Sequence, residues 1–350
     1  LWFRSRFHHN RRRLLQAIIL YTELSETSTP DDLDVLAQVE AVSKALLQLG
    51  VEPLRLPVSL DLKMMTNRLR DIRPDFVFNL VESLDGSGRL LFLAPAILDV
   101  LNLPYTGGST NALYITTNKI LTKQQLAAAG IATPAWRLAT SATEVPDFAP
   151  PYLIKPAWED ASVGIDEESL VFKADQLSAV LQKRTQAFGE CLIEAYIPGR
   201  EFNLSVLAGE NGPEVLPPAE MLFRDYPPDK PRIVDYRAKW DEASFEYKNT
   251  IRTFEFPESD AALLKNLKNI ALECWSLFEC RGYARVDFRV DESGQPWVLE
   301  VNANPCISPD AGFVAAAERA GLSYRDIVER IVRDSIDLKV KRHVPHPQNI

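Results

Sequence analysis

YARVDFRVDESGQPWVLEVNANP, residues 283–305, decides how the second half of the chain folds. Successive side chains on a strand point to opposite sides. In the first run Val286, Phe288 and Val290 share one face, and Arg285, Asp287 and Arg289 share the other. In the second run Trp297, Leu299 and Val301 form an apolar face, with Glu300 and Asn302 opposite it. Asp291-Glu292-Ser293-Gly294-Gln295 between them carries turn residues, which predicts a β-hairpin. A turn centred on Ser293-Gly294 sets Asp287 against Glu300 and Arg285 against Asn302. Directly opposed side chains lie only about 4.5–5.5 Å apart at Cβ. Two carboxylates held that close repel unless something cationic lies between them. Mg²⁺ prefers hard oxygen ligands and keeps positions open for phosphate oxygens, so it meets that need. A solvated strand face scatters its charges. Here an acid pair, an amide and an arginine converge, and a metal site is expected.

The 350 residues suggest two or three compact units of ordinary globular composition. No apolar run approaches the roughly 20 residues of a membrane span. The first 13 residues, LWFRSRFHHNRRR, hold five arginines and no acid and are expected to form a flexible basic head. Without them the 39 basic residues fall to 34 against 48 acids, a formal charge of −14 where the whole chain has −9. Such a body is a poor partner for nucleic acid. LLQAIIL (14–20) follows the basic head but is only seven residues long and continues into polar sequence, so it reads as a buried first strand, with a signal peptide as the alternative. Cys191, Cys274, Cys280 and Cys306 lack metal-ligand spacing and read as thiols of a reducing, cytoplasmic compartment. His8, His9, His343 and His346 all lie in the tails. Histidine-based hydrolysis and histidine-ligated zinc chemistry are therefore disfavoured. The reaction has to run on carboxylates, lysines, arginines and bound ions.

The first third alternates strand and helix. Strands are predicted at 14–22, from 51 and at 75–82, with helices over 33–50, 61–71 and 89–103. This rhythm implies a small, doubly wound parallel sheet, whose ligands gather beyond the strands' carboxyl ends. A dinucleotide-binding oxidoreductase is discounted, since no G-x-G-x-x-G follows the first strand. A helix over 116–129 carries Lys119 and Lys123; strands at 152–155 and 190–197 flank a helix near 175–187. A helix over 260–279 is expected to be capped by Ser259. Lys155 leaves a strand into a loop of small residues, one way to hold polyphosphate. Glu194 and Glu201 flank a bend at Gly199, suited to a base and a ribose. Lys239 sits among aromatics in DYRAKWDEASFEY (235–247), which reads as a flap.

Six segments, NLPYTGG, NKILTK, YLIKPAWEDASVG, EAYIPGREF, DYRAKW and RVDFRVDESGQPWVLEVNANP, occur in an order that resembles the ATP-grasp superfamily. Within it the chain is most similar to the D-alanine–D-alanine ligase group, from about residue 75 to 335. The resemblance implies an α/β and α+β protein: a doubly wound amino-terminal (pre-ATP-grasp) domain followed by a two-subdomain ATP-grasp fold. The units expected are 14–114, 115–199 and 200–335, with a tail over 336–350. It implies ATP held by Lys119, Lys155 and Ser162, by Glu194, Ala195 and Ile197 around the adenine, and by Glu201 at the ribose. Lys239 would reach the γ-phosphate, and Arg285 would stabilise charge in the transition state. Asp287, Glu300 and Asn302 would hold Mg²⁺, as two ions, with Mn²⁺ as an alternative. The implied reaction joins a small carboxylate to an amine, an amino acid or peptide, through an acyl phosphate and releases ADP. A homodimer is implied by the resemblance alone.

Departures from the family pattern fall on the substrate contacts. The family's Gly-Gly-x-Ser-x-Glu after the first strand is YTELSETSTPDDL here; its serine pair after Lys155 is Ala161-Ser162; its flap tyrosine is Trp240. The serine expected to hold the second substrate falls near Ala311, and Cys306 follows Asn-x-x-Pro. Glu82, Asp85 and Arg89 are candidates for new recognition. The expectation is a ligase whose substrates are not two D-alanines. The alternatives are a true D-alanine–D-alanine ligase and an ATP-binding regulatory module without catalysis.

Overall fold

The computed structural model describes residues 15–26, 28–139 and 146–342; the basic head and all four histidines lie outside the described residues. The chain opens with β1 (Leu15–Thr22), α1 (Val35–Gln48), β2 (Val51–Val58), α2 (Leu62–Ile72), β3 (Phe76–Leu80) and α3 (Leu93–Val100). The strands form one parallel sheet in the order β2-β1-β3. Alternation along β1 covers both faces. Ala17 and Ile19 pack on Val39, Val42 and Leu46 of α1, whereas Ile18 and Leu20 pack on Met65 and Leu69 of α2 and on Leu98 of α3. Helices on both sides make the sheet doubly wound, as expected. The helix expected over 89–103 is shorter, because a 3₁₀ turn, Gly88–Leu90, precedes α3.

A single helix was expected over 116–129, but two occur: α4 (Thr110–Thr117) and α5 (Lys119–Ala128). Asn118 divides them. Its extended backbone ends α4, and its side-chain oxygen accepts from the N–H groups of Ile120 and Leu121, both at 2.9 Å. Lys119 and Lys123 thus lie one turn apart on one buried face of α5. The second sheet contains β4 (Trp136–Leu138), β5 (Tyr152–Pro156), β6 (Leu170–Val171) and β7 (Cys191–Ala195) in the order β4-β7-β5-β6, all antiparallel. Helix α6 (Leu177–Phe188) closes its core through Leu177 and Leu181 against Tyr152, Ile154 and Ile193.

The third sheet holds β8 (Arg200–Gly209), β9 (Gly212–Val215), β10 (Ala219–Phe223), β11 (Thr250–Thr253), β12 (Tyr283–Val290) and β13 (Pro296–Asn302). Its order is β11-β10-β8-β12-β13, with β9 on β8. The hairpin pairs Arg285 with Asn302 and Asp287 with Glu300, as expected, but Val290 pairs with Pro296, so the loop centres on Ser293 and not between Ser293 and Gly294. Past that point a bulge at Leu299 sets Phe288 opposite Val298 and Arg289 opposite Trp297. This corrects the expected second face. Val298 and Val301, not Trp297 and Leu299, join Val286, Phe288 and Val290 in the core, against Leu267, Ala271 and Cys274 of α9 (Ala261–Leu277). Each such side chain contributes about 1.5–3 kcal/mol when fully buried. Trp297 instead donates its indole N–H to Asp291 at 2.9 Å. Ser259 does not cap α9 either: a 3₁₀ turn, Glu258–Asp260, leads into it, and the Asp260 carboxylate is drawn to Arg200 at 2.7 Å.

Between β10 and β11 the expected flap folds as α7 (Tyr236–Trp240) and α8 (Phe245–Asn249), capped by the side chains of Asp235 and Ser244. Helices α10 (Gly312–Arg319) and α11 (Tyr324–Arg342) follow, the latter running past the expected boundary at 335. Phe313, Ile327 and Ile331 share a core with Phe76, Phe78 and α1, which ties the first sheet to the third. No helix among the described residues is long and apolar enough to cross a membrane.

Candidate active site

A cleft of about 1340 Å³ opens where the three sheets approach one another. Its floor is the polar face of the hairpin. Arg285 donates Nε to Asp287 Oδ1 at 2.8 Å and Nη2 to Oδ2 at 2.9 Å, with Nη2 3.8 Å from Glu300 Oε1. The guanidinium therefore stands where repulsion between the two acids called for a cation. Glu300 accepts no hydrogen bond from a described residue. Burial alone would raise its pKa, yet Lys119, Lys239, Arg285 and Lys155 hold it down at about 2. Asn302 lends one lone pair of Oδ1 to Asn304 N at 2.9 Å. Among the described residues no group of three or more His, Cys, Asp or Glu is placed to hold a metal. Two carboxylates and an amide oxygen make only part of a shell. That suits Mg²⁺, which keeps water and takes phosphate oxygens for the rest. The uncommitted Glu300 carboxylate is the feature that fits the ion.

The opposite wall carries Lys155 on β5 and Glu194 on the adjacent β7, diagonal to each other because Glu194 pairs with Leu153 and Lys155 with Leu192. Glu194 is 1% exposed; its Oε1 lies 2.6 Å from Lys155 Nζ, and its Oε2 pairs with Lys123 of α5. Burial would raise the Glu194 pKa, but the two ammonium groups keep it below the usual carboxylate range. Lys123 also donates to Thr133 Oγ1 at 2.8 Å. The Glu194 side chain is thus committed to orienting Lys155 and is not free to meet a base. Ala195 and Ile197 line the cleft, the first with its N–H on Ala135 O at 2.8 Å and the second with its carbonyl on Arg289 Nε at 2.9 Å. Arg289 organises this corner, donating also to Tyr196 Oη (2.9 Å), Arg232 O (2.7 Å) and Glu201 Oε2 (3.3 Å). Burial raises the Glu201 pKa, and Arg289 opposes the rise. Gly199 makes the bend before Glu201 at φ +133°, where a Cβ would run into the carbonyl of Val290.

The loop after β5 and the flap close over the space between. Lys119 does not line the cleft; its Nζ donates to Glu159 O and lies 3.5 Å from Asp160. Ser162 Oγ donates to Val234 O at 2.8 Å, and Trp240 Nε1 to Ala161 O at 3.1 Å. Tyr236 Oη donates to Asp31 Oδ1 at 2.7 Å, joining the flap to the amino-terminal sheet's helical turn Pro30–Leu33. Lys239 enters from the flap; burial and then the neighbouring Arg285 lower its pKa. Of the substrate candidates, Glu82, Trp240 and Ala311 line the cleft. Burial pushes the Glu82 carboxyl up to about 7 against the hydrogen bond from Gln38 at 2.9 Å. Asp85 and Arg89 do not line it. Asp85 is exposed in a left-handed turn (φ 54°) beside Gly86, and Arg89 is exposed over the Trp158 ring at 4.9 Å. Lys123, Arg289, Leu299, Tyr236 and Asp31 also build this region, although no local motif marks them as site residues.

Residues 126–333 match the family model described as D-ala D-ala ligase C-terminus. The chain belongs to the D-alanine–D-alanine ligase family. It is 30% identical over 323 residues to the D-alanine–D-alanine ligase of Gloeobacter violaceus, covering 90% of this chain and 99% of that one. It is 33% identical over 281 residues to an uncharacterized protein of Sinorhizobium fredii, covering 78% and 80%. In fold it matches the Bacillus anthracis D-alanine–D-alanine ligase complexed with ATP at a TM-score of 0.72 and 22% identity, over 94% of this chain and 99% of that one. This family member is therefore an ATP-dependent, ADP-forming ligase of the ATP-grasp class, acting on small molecules.

Proposed function

We propose that this ligase joins a carboxylate to an amine through an acyl phosphate, and that its substrates are not two D-alanines. One observation carries the reading. The nucleotide side of the cleft keeps paired lysines and acids, while the substrate side is rebuilt around Asp31–Tyr236, Trp240–Ala161 and Ser162–Val234. The units at 14–114, 115–199 and 200–335 would supply, respectively, the acid substrate's wall, the base and phosphate wall, and the ion-binding floor. Lys155, oriented by Glu194, and Lys119, once it exchanges Glu159 O for a phosphate, would hold the triphosphate with Lys239 above. Glu201, steadied by Arg289, would take the ribose hydroxyls, and the backbone at 194–197 the adenine, with Leu299 against the ring. Asp287, Glu300 and Asn302 would hold Mg²⁺, as two ions, with Mn²⁺ as an alternative. Bound there, the metal relieves charge on the phosphoryl oxygens.

The substrate carboxylate attacks the γ-phosphorus and ADP leaves. The amine nitrogen then attacks the acyl carbon and phosphate leaves. A carboxylate is a weak nucleophile, so alignment by the lysines supplies much of the rate. Arg285 would offset charge that develops on the transferring group, with Asp287 fixing its orientation. Asp31 and Asp34, which line the cleft, take the place of the missing family glutamate opposite a substrate amino group. ADP release is measured over a panel of amino acids and dipeptides. Turnover should require a pair other than D-alanine with itself; robust D-alanyl-D-alanine synthesis from D-alanine alone refutes the altered specificity.

A further inference from the structure

Arg252 on β11 reaches into the cleft close to Arg285, yet makes no hydrogen bond or ion pair with a described residue. Its nearest charged neighbours are Arg285, of like sign, and the exposed Asp310; burial and Arg285 together lower its pKa. Arg285 is held in place by both oxygens of Asp287, whereas no carboxylate among the described residues holds Arg252. A half-buried, unpaired cation is costly unless a counter-charge arrives.

The second observation concerns what it lies against. A Cβ built on Gly312 would meet Arg252 Nη2 at 3.2 Å and its Cζ and Nε at 3.5 Å. The guanidinium is therefore spread flat over the first residue of α10, a position that glycine alone leaves clear. That helix begins after Ala311, which offers no side-chain cap, so its leading N–H groups face the cleft without an acceptor from the cap residue. An uncapped helix start and a fork of guanidinium donors converge on one spot, and both favour an anion. Planar two-pronged donors suit a carboxylate better than a point charge does.

We propose that Arg252 is a specificity-determining residue that binds a carboxylate of the amine substrate, in place of the hydroxyl missing at Ala311. The inference rests on the ligase reading above and deepens it: the amine is an amino acid or peptide with a free carboxyl group, not a simple amine. The sequence offered no sign of this, since TIRTFEF around Arg252 has no pattern that marks a site.

The test compares ADP release by the full chain with the common amino acids of both hands and their dipeptides, each as free acid and as carboxamide. The native protein should prefer the acid. R252M should lower kcat/KM for the acid about 100-fold, the scale of truncating one partner of a hydrogen-bonded charge pair, and collapse the acid-to-amide ratio. R252K should restore part of the ratio, and A311S placed in the R252M chain should do likewise. Equal use of acids and amides by the native protein, or an unchanged ratio in R252M, overturns the proposal. Calorimetric titration of the same pairs onto protein loaded with a non-hydrolysable ATP analogue and Mg²⁺ makes the comparison without turnover. A binding preference for acids that R252M abolishes, with no ADP released by any pair, would defeat the ligase reading but leave the Arg252 subsite standing. No preference for acids in binding defeats the subsite itself. If R252M does not melt as a folded protein, G312A, which presses a Cβ on the guanidinium, replaces it with the same expected loss.

Discussion

Glu194→Gln removes the one negative charge that two buried ammonium groups share. Lys123 is 1% and Lys155 6% exposed, and each has Glu194 as its ion-pair partner. Removing one partner of a buried pair costs about 3–5 kcal/mol, because the remaining charge is left uncompensated. Here two charges are left facing each other, and the Thr133 hydroxyl at 2.8 Å from Lys123 offsets only part of that. At about 4 kcal/mol, and about 2–4 °C per kcal/mol for a cooperative unit of 150–250 residues, Tm should fall by roughly 8–16 °C. The loss should also depend on pH. Burial already lowers the Lys123 pKa in the native chain, with Glu194 opposing it, so the substitution lowers it further. Between that depressed value and the ordinary lysine value of about 10.4, the unfolded chain binds more protons than the folded one. Stability therefore rises with pH across this window, and the E194Q deficit shrinks from pH 7 towards pH 10. Urea unfolding and thermal melts at pH 7, 8.5 and 10 measure it. A deficit below about 1 kcal/mol at pH 7, or one that is flat with pH, refutes the shared-charge account.

Lys239→Met should reduce ADP release about 10²–10³-fold while Mg·ATP affinity changes only a few-fold, because the flap lysine acts on charge that develops during transfer; an equal loss in both would assign it to ground-state binding. Gly199→Ala should cost more than about 3 kcal/mol, since the new Cβ meets the Val290 carbonyl at a φ that L-residues avoid; a melt within a degree or two of native contradicts this. Glu82→Gln bears on pH. Its raised carboxyl, near 7, keeps its proton in the folded chain after the unfolded chain has lost it, so up to about 3 kcal/mol of stability is lost as pH climbs from about 4.5 through 7. The amide does not titrate, and E82Q should become more stable than the native protein by pH 8 but not at pH 4.5. Urea midpoints at both values show it, and a difference that does not move with pH rules it out.

Alternation made the facing of Asp287 and Glu300 legible, although the turn alone does not fix it: Val290 pairs with Pro296, so the loop centres on Ser293, and the bulge restores the expected pairing at the site. The bulge at Leu299 was not legible, because one extra residue in a strand leaves no mark in composition, and it turned Leu299 towards the cleft. The three parallel strands and their helices were legible from period and punctuation alone. Lys123 was within reach: it follows Lys119 by four residues on one helix, and such pairs share a face. Its importance depends on Glu194, 71 positions away, and no local pattern links them. Arg289 was placed correctly on the polar face, but its four acceptors come from other segments. The caps of the flap helices, Asp235 and Ser244, were readable signals that the irregular aromatic content obscured. Asp85 and Arg89 lie off the cleft, Asp85 in a left-handed turn and Arg89 over the Trp158 ring, and neither feature has a local mark in the sequence.

The two facing acids are tested most directly by Mn²⁺ titration, followed by electron paramagnetic resonance, of the native protein, E300Q and D287N, each with a non-hydrolysable ATP analogue. The account predicts tight, nucleotide-dependent Mn²⁺ binding that weakens at least about 10-fold in E300Q while the fold melts normally. Equal Mn²⁺ affinity in the native protein and in both variants would contradict it.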